Sequence, residues 1–182
     1  SCGPVNIGPT VLTMLSVFQS LFEEVGENIF DHLELKEQQI LARHWWSDGT
    51  EFDLLANKDD AFDEVRRVFG ANSEKQFIKF CKSTEGMFDC FEKPIMRSSS
   101  PAALEILKEI CNNPKIIPVL LPFLTLEKYL KNKFSEPKLQ QLFGRYSTYV
   151  GGSPLNSPAL MALVWQAEAR GVWTVKGGIS SV

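Results

Sequence analysis

Gln39 to Trp46 is apolar and aromatic, Glu51 to Leu55 resumes that character, and Ser47-Asp48-Gly49 stands between them. Two β-prone runs joined by a short Gly-containing loop read as a hairpin, because the glycine supplies the backbone conformation that a tight reversal needs. Everything after it has a different period. From Lys58 onward Ala61, Phe62, Val65, Val68 and Phe69 recur at helical spacing up to Gly70. A chain that carries a ribbon and a long helical tract belongs to the α+β class.

The helical tract divides at its own punctuation. Ser73, with Gln76 three residues on, has the pattern of a capping box for a helix that carries Phe77, Ile78, Phe80, Cys81, Phe88 and Phe91. The phenylalanines read as helical core. After the break at Ser98-Ser99-Ser100, Pro101 suits the first turn of a helix over Ala102 to Ile110. Pro114 to Leu124 is an apolar run interrupted by three prolines, too broken for a regular strand or a long helix. Thr125 opens a short helix with Leu126, Tyr129, Leu130 and Phe134 on one side and Lys128, Lys131 and Lys133 elsewhere. Pro137 opens another from Lys138 to about Val150, stopped by Gly151-Gly152, and Ser157-Pro158 starts one that ends near Gly171. At the front, Leu15 to Val25 has helical spacing with Gly26 as its stop, preceded by short β-prone runs around Gly8-Pro9. Val172 to Val175 reads as a strand.

The 182 residues suit one domain of ordinary size, or one with a small appendage, and 44% hydrophobic with 23% charged residues is a globular composition. A net charge of -3 gives no broad positive field, so nucleic acid is not an expected partner. The four cysteines Cys2, Cys81, Cys90 and Cys111 form no C-x-x-C pair and read as reduced thiols of a cytoplasmic protein. His32 and His44 lie far from them in sequence, so no metal site is expected. His44, beside Trp45 and Trp46, reads as a structural imidazole. No secretory leader is visible, no apolar run reaches the roughly 18 residues that cross a bilayer, and the chain opens without Met, as a processed or excised piece would. The dinucleotide, P-loop, nucleophile-elbow and zincin motifs are all missing from the 182 residues.

Four segments stand out against this background: Gly8-Pro9-Thr10-Val11-Leu12-Thr13-Met14, Ala42 to Leu54, Phe143-Gly144-Arg145-Tyr146-Ser147-Thr148-Tyr149-Val150-Gly151-Gly152-Ser153-Pro154, and Gly171-Val172-Trp173-Thr174-Val175-Lys176-Gly177-Gly178. In this order they resemble the phytoene desaturase family of FAD-dependent oxidoreductases, with a leaning toward the hydroxyneurosporene and methoxyneurosporene desaturase branch. The resemblance covers nearly the whole chain. It implies a mostly helical substrate-binding insert (residues 15–171) with a β-hairpin and mixed sheet, between short stubs of a Rossmann-type FAD domain (residues 1–14 and 172–182). The glycine fingerprint that brings FAD pyrophosphate to a helix N-terminus would lie before Ser1.

The resemblance further implies dehydrogenation of a C–C bond in a carotenoid, with FAD as the hydride acceptor of the parent enzyme and the fragment alone inactive. It places Gly8, Pro9 and Thr10 against the flavin, with Gly177 and Gly178 where the chain re-enters the flavin domain; an ordinary turn and a packing role are the plainer readings. Arg145, Tyr146 and Tyr149 are candidates for the wall of a polyene tunnel, or else core aromatics. Ile117, Leu120, Leu121 and Phe123 with Lys128 and Lys131 are candidates for a peripheral membrane contact, or else buried core beside a solvated basic helix. No motif marks a catalytic base. A carotenoid isomerase or saturase on the same scaffold, and a non-enzymatic lipid- or partner-binding domain, remain as alternatives.

Overall fold

A computed structural model describes residues 11–92, 103–120 and 123–178. In chain order the elements are β1 (Leu12–Thr13), α1 (Leu15–Glu24), α2 (Ile29–His32), β2 (Leu35–Glu37), β3 (Ile40–Trp45), β4 (Glu51–Leu55), α3 (Lys58–Phe91), α4 (Ala103–Asn112), a 3-10 turn (Pro114–Ile116), α5 (Ile117–Leu120), α6 (Leu126–Lys133), α7 (Pro137–Gly144), 3-10 segments over Arg145–Val150 and Ala159–Leu163, α8 (Val164–Ala169) and β5 (Val172–Val175). The fold is α+β, as the two periodicities require. The break at Ser98-Ser99-Ser100-Pro101 lies outside the described residues.

The chain forms two compact units, one of residues 1–61 with 167–182 and the other of residues 62–166. In the first, β5 is the central strand of a three-stranded antiparallel sheet in the order β1-β5-β2. Leu12 lies opposite Trp173, and Leu35 opposite Val175. Leu12, Leu15, Ile29, Leu33 and Val175 form its small core, with Phe18, Phe22, Leu35 and Trp173 packed against it. Neither α2 nor β2 was expected. Asn28 caps α2 by accepting from the Phe30 N–H at 3.1 Å. Elements of four and three residues are too short to impose a period on the sequence.

The hairpin stands as expected. β3 and β4 pair antiparallel, with Arg43 opposite Asp53 and His44 opposite Phe52. Gly49, at φ 82, occupies the turn. Phe52 and Leu54 are buried while Asp53 between them accepts two hydrogen bonds from the Arg43 guanidinium, at 2.7 and 2.8 Å. His44 stacks on Trp46 with ring centroids 5.7 Å apart, the structural imidazole of the sequence reading.

The second unit is built on α3. Asn57 caps it, accepting from the N–H groups of Asp59 and Asp60. Gly70 breaks it at φ 86 and ψ 168, where the sequence pattern stopped. The capping box at Ser73 and Gln76 does not form. The helix resumes directly after Gly70, so Ser73 is buried inside it, and the Gln76 side chain instead accepts from the backbone N–H and hydroxyl of Ser135. Phe77, Phe80, Phe88 and Phe91 are all buried, as core. Phe143 lies at the centre of the packing: its ring centroid is 5.6 Å from Phe77, 4.6 Å from Phe80, 5.3 Å from Phe134 and 5.5 Å from Trp165. One polar bridge crosses this core. Gln166 donates to the Thr84 hydroxyl at 2.8 Å and to the Cys81 carbonyl at 3.2 Å.

Candidate functional site

The segment from Phe143 to Gly152 departs from its expected geometry, and the departure organises its side chains. Pro137 occupies the first turn of α7, and the Glu136 side chain caps it by accepting from the Lys138 N–H. The α-helix does not reach Val150. It ends at Gly144, and Arg145–Val150 continues as a 3-10 helix closed by Gly151 at φ 64. In a 3-10 helix, residues three apart eclipse one another. Tyr146 and Tyr149 therefore neighbour each other, with ring centroids 6.1 Å apart and planes tilted by 36°, and Tyr146 in turn stacks 6.4 Å from Phe143. The result is an aromatic ladder that begins in the core and ends at the surface. Tyr146 is 0% exposed and Tyr149 is 62% exposed.

The ladder is locked from both sides. Arg145 donates to the Tyr146 hydroxyl at 3.0 Å and holds its guanidinium carbon 4.8 Å from the centroid of the Tyr146 ring. A Cβ at Gly152 would meet the Ser157 hydroxyl at 2.5 Å, so the chain leaves the ladder through a glycine for lack of room. The two tyrosines thus have different environments: Tyr146 is a core aromatic with a satisfied hydroxyl, and Tyr149 is largely exposed.

Gly177 and Gly178 form the turn after β5, at φ 89 and φ 93. The Gly178 N–H donates to the Val175 carbonyl at 3.0 Å, and Lys176 pairs with Glu34 at 2.7 Å. Gly8, Pro9 and Thr10 lie outside the described residues. At the end of their segment Met14 adopts φ 52, the one positive φ of a non-glycine residue among those described. A side chain in that region costs about 1–2 kcal/mol. No sequence signal marks it.

The proline-broken run resolves into a 3-10 turn, the four-residue α5 and a turn before α6. Val119 and Leu126 are buried, while Ile117 and Phe123 are 45% and 84% exposed. Leu120 is half-buried, and Leu121 lies outside the described residues. Thr125 caps α6, as its position suggested, accepting from the Lys128 N–H. The lysines of α6 differ from one another. Lys131 pairs with Glu127 at 2.8 Å. Lys133 lies 5.0 Å over the Tyr129 ring, and burial holds its pKa below the usual lysine value. Lys128 is exposed and makes no ion pair among the described residues.

A cleft of about 370 Å3 opens between α6, α7 and residues 153–155. Glu127, Lys131, Gln140 and Gln141 line it, together with Pro154 and Leu155, and none of Arg145, Tyr146 and Tyr149 does. Leu130 and Pro137 complete its largely apolar lining. On α1 and its cap Val25, apolar residues occupy two faces. Leu15, Phe18 and Phe22 pack inward, while Val17, Leu21 and Val25 are exposed. Helical spacing alone does not separate the two sets. Among the described residues no group of His, Cys, Asp and Glu stands together as a metal-ligand set, and no helix is long and apolar enough to cross a membrane.

No protein-family model matches the chain. Among curated proteins it is 42% identical over 177 residues, 97% of its length, to the hydroxyneurosporene desaturase of Cereibacter sphaeroides. It is 38% identical over 180 residues to the hydroxyneurosporene desaturase of Rhodobacter capsulatus, and 26% identical over 175 residues to the 4,4'-diapolycopene oxygenase of a Methylomonas species. It spans about a third of the length of these relatives, 36%, 36% and 35% in turn. Over nearly its entire length, the chain is homologous to a segment of the hydroxyneurosporene desaturases.

Proposed function

We propose that this chain is the substrate-facing segment of an FAD-dependent carotenoid desaturase working at the cytoplasmic surface of a membrane. The observation that carries the reading is the 42% identity with a hydroxyneurosporene desaturase, sustained over 97% of the chain. The oxygenase relative stands at 26%, which favours desaturation over oxygen insertion.

The reaction removes a hydride and a proton from neighbouring carbons of the polyene, and bound FAD supplies the two-electron acceptor. Gly177 and Gly178 fit a place near such a group. Two successive residues at positive φ expose backbone without side-chain bulk, and that is what close approach of a planar ring requires. Gly8, Pro9 and Thr10 would lie against the same group. Tyr149 contacts the polyene with the face of its ring, and Tyr146 and Arg145 hold that ring in place from beneath. Aromatic surface suits a long apolar substrate that offers few hydrogen-bonding groups. Ile117, Leu120, Leu121 and Phe123, with Lys128 and Lys131 beside them, make the peripheral contact with the bilayer that holds the carotenoid.

The test is expression of the native reading frame that encodes this chain. The purified protein is expected to show flavin absorbance and to convert hydroxyneurosporene in liposomes to a product with one more double bond. A preparation that is folded, colourless and inactive after incubation with FAD would overturn the proposal and favour a binding module without redox chemistry.

A further inference from the structure

The cleft between α6, α7 and residues 153–155 lies wholly within the second unit, and its walls are fixed. The Glu127 N–H donates to the Pro154 carbonyl at 2.9 Å and the Leu126 N–H to the Ser157 carbonyl at 2.8 Å, so residues 153–157 are tied to the start of α6. Pro154 also closes on Gly144, where a Cβ would meet its ring at 3.1 Å. Leu130, Pro137, Pro154 and Leu155 supply the apolar lining. The polar groups around it differ in what they can still offer. Glu127 and Lys131 neutralise each other at 2.8 Å, so the cleft presents no net charge. The Gln140 amide nitrogen donates to the Phe134 carbonyl at 2.8 Å, and the amide oxygen remains as an acceptor. The Ser153 oxygen accepts from the Leu155 N–H at 3.4 Å, and its hydroxyl proton remains to be donated. Gln141 is exposed to solvent.

An acceptor and a donor beside an apolar lining match a neutral ligand with an apolar body and one group that both gives and takes a hydrogen bond. An alcohol on a hydrocarbon chain has that character, whereas a carboxylate or an ammonium would be desolvated there without a counter-charge. The volume of about 370 Å3 stands near the lower end of the roughly 300–1,000 Å3 of small-molecule sites, so the cleft takes part of a long chain and not the whole of it. We infer that this cleft seats the hydroxyl-bearing part of the carotenoid, whose O–H donates to the Gln140 amide oxygen and whose oxygen accepts from the Ser153 hydroxyl. This rests on the desaturase reading above and names the substrate feature that the segment selects. A site built to hydrogen-bond a hydroxyl rejects the analogue that lacks it, because its own polar groups are then left unpaired away from water.

The experiment titrates the full-length protein with hydroxyneurosporene and, separately, with neurosporene, and reads binding from the quenching of tryptophan fluorescence by the polyene. Turnover of both carotenoids is measured alongside. The unaltered protein is expected to bind the hydroxylated chain more tightly. S153A and Q140L should each weaken that binding about three- to tenfold, the worth of one neutral hydrogen bond, and leave neurosporene unchanged. L155D should weaken both carotenoids, since it charges the lining they share. Neurosporene is the internal control for a variant that has merely lost its fold, and circular dichroism checks each variant directly. Equal affinity for the two carotenoids in the unaltered protein, or S153A and Q140L variants that weaken both alike or neither, overturns the inference and leaves the desaturase reading standing. Hydroxyl-selective binding that S153A and Q140L abolish, without any turnover, supports the cleft and overturns the desaturase reading. Absence of binding to either carotenoid overturns both.

Discussion

Phe143→Ala is expected to be among the most damaging single substitutions in the second unit. Truncating a buried phenylalanine costs about 3–5 kcal/mol, and each well-placed aromatic pair contributes about 0.5–1.5 kcal/mol beyond its buried area. Phe143 is 1% exposed, with four rings centred within 5.6 Å and Tyr146 at 6.4 Å. Its loss belongs at the top of that range, about 4–5 kcal/mol, against a total stability of about 5–15 kcal/mol for a typical protein. At about 2–4 °C per kcal/mol for a chain of this length, the midpoint should fall by about 8–20 °C. Phe143→Leu keeps most of the volume and removes the ring contacts, so it isolates the aromatic part, about 2 kcal/mol. Phe134→Leu provides the comparison. Phe134 is equally buried but is centred near Phe80 and Phe143 at the edge of the cluster, and its loss is expected to be about 1 kcal/mol. Urea denaturation followed by near-ultraviolet circular dichroism measures all three. A loss below about 2 kcal/mol for Phe143→Ala, or equal losses for the two leucine variants, would refute the central role given to this ring.

Three further outcomes follow from other parts of the fold. Gly70→Ala is expected to cost about 1–3 kcal/mol, because φ 86 with ψ 168 is a region open essentially to glycine alone, whereas Gly86→Ala, with open space around it, should stabilise by about 0.5–1 kcal/mol; thermal melts compare them. Thr84→Val and Gln166→Leu should each destabilise by about 1–3 kcal/mol because each leaves a buried polar partner behind, and the double variant should lose less than their sum; additive losses in a double-mutant cycle would show that the two groups are not coupled. Burial, with smaller contributions from Glu109 and Asp89, raises the Cys90 thiol above its ordinary pKa. The neutral thiol is therefore favoured in the folded state. Its contribution is fully present below the ordinary thiol range near pH 8.5 and is lost as pH rises through the raised value, so Cys90→Ala should flatten the first part of the alkaline decline in a urea-midpoint profile.

What the sequence showed, and what it hid, follows from the range of the interactions involved. The hairpin was legible because Gly49 and the flanking β-prone runs are local. So was the interruption at Gly70, since only the backbone conformation there decides it. Ser73 and Gln76 misled because a capping box is also local in pattern, yet Gln76 found its partner in Ser135, 59 residues away. The end of α7 was hidden for a similar reason. Arg145 to Val150 has no helix breaker, and the tightening to a 3-10 helix goes with close packing around Gly144 and Gly152, where Cβ atoms would meet Pro154 at 3.1 Å and Ser157 at 2.5 Å.

The candidate site was legible as a set of residues and not as an arrangement. Spacing alone placed Tyr146 and Tyr149 on one face, and this holds in a 3-10 helix even more directly than in an α-helix. Spacing does not tell which ring is inside. That is decided by Phe143, which draws Tyr146 into the aromatic cluster and leaves Tyr149 one turn further out. The lysines of α6 show the same limit: three basic residues in eight suggested a charged platform, and contacts with Glu127 and Tyr129 leave Lys128 alone without one. In both places a role shared equally by pattern is divided by burial. On the ladder the exposed member is Tyr149, and the buried Tyr146 and Phe143 lie behind it. On the substrate role proposed for it, Tyr149→Ala should change turnover with little change in stability, and substitutions at Phe143 and Leu126 should lower stability.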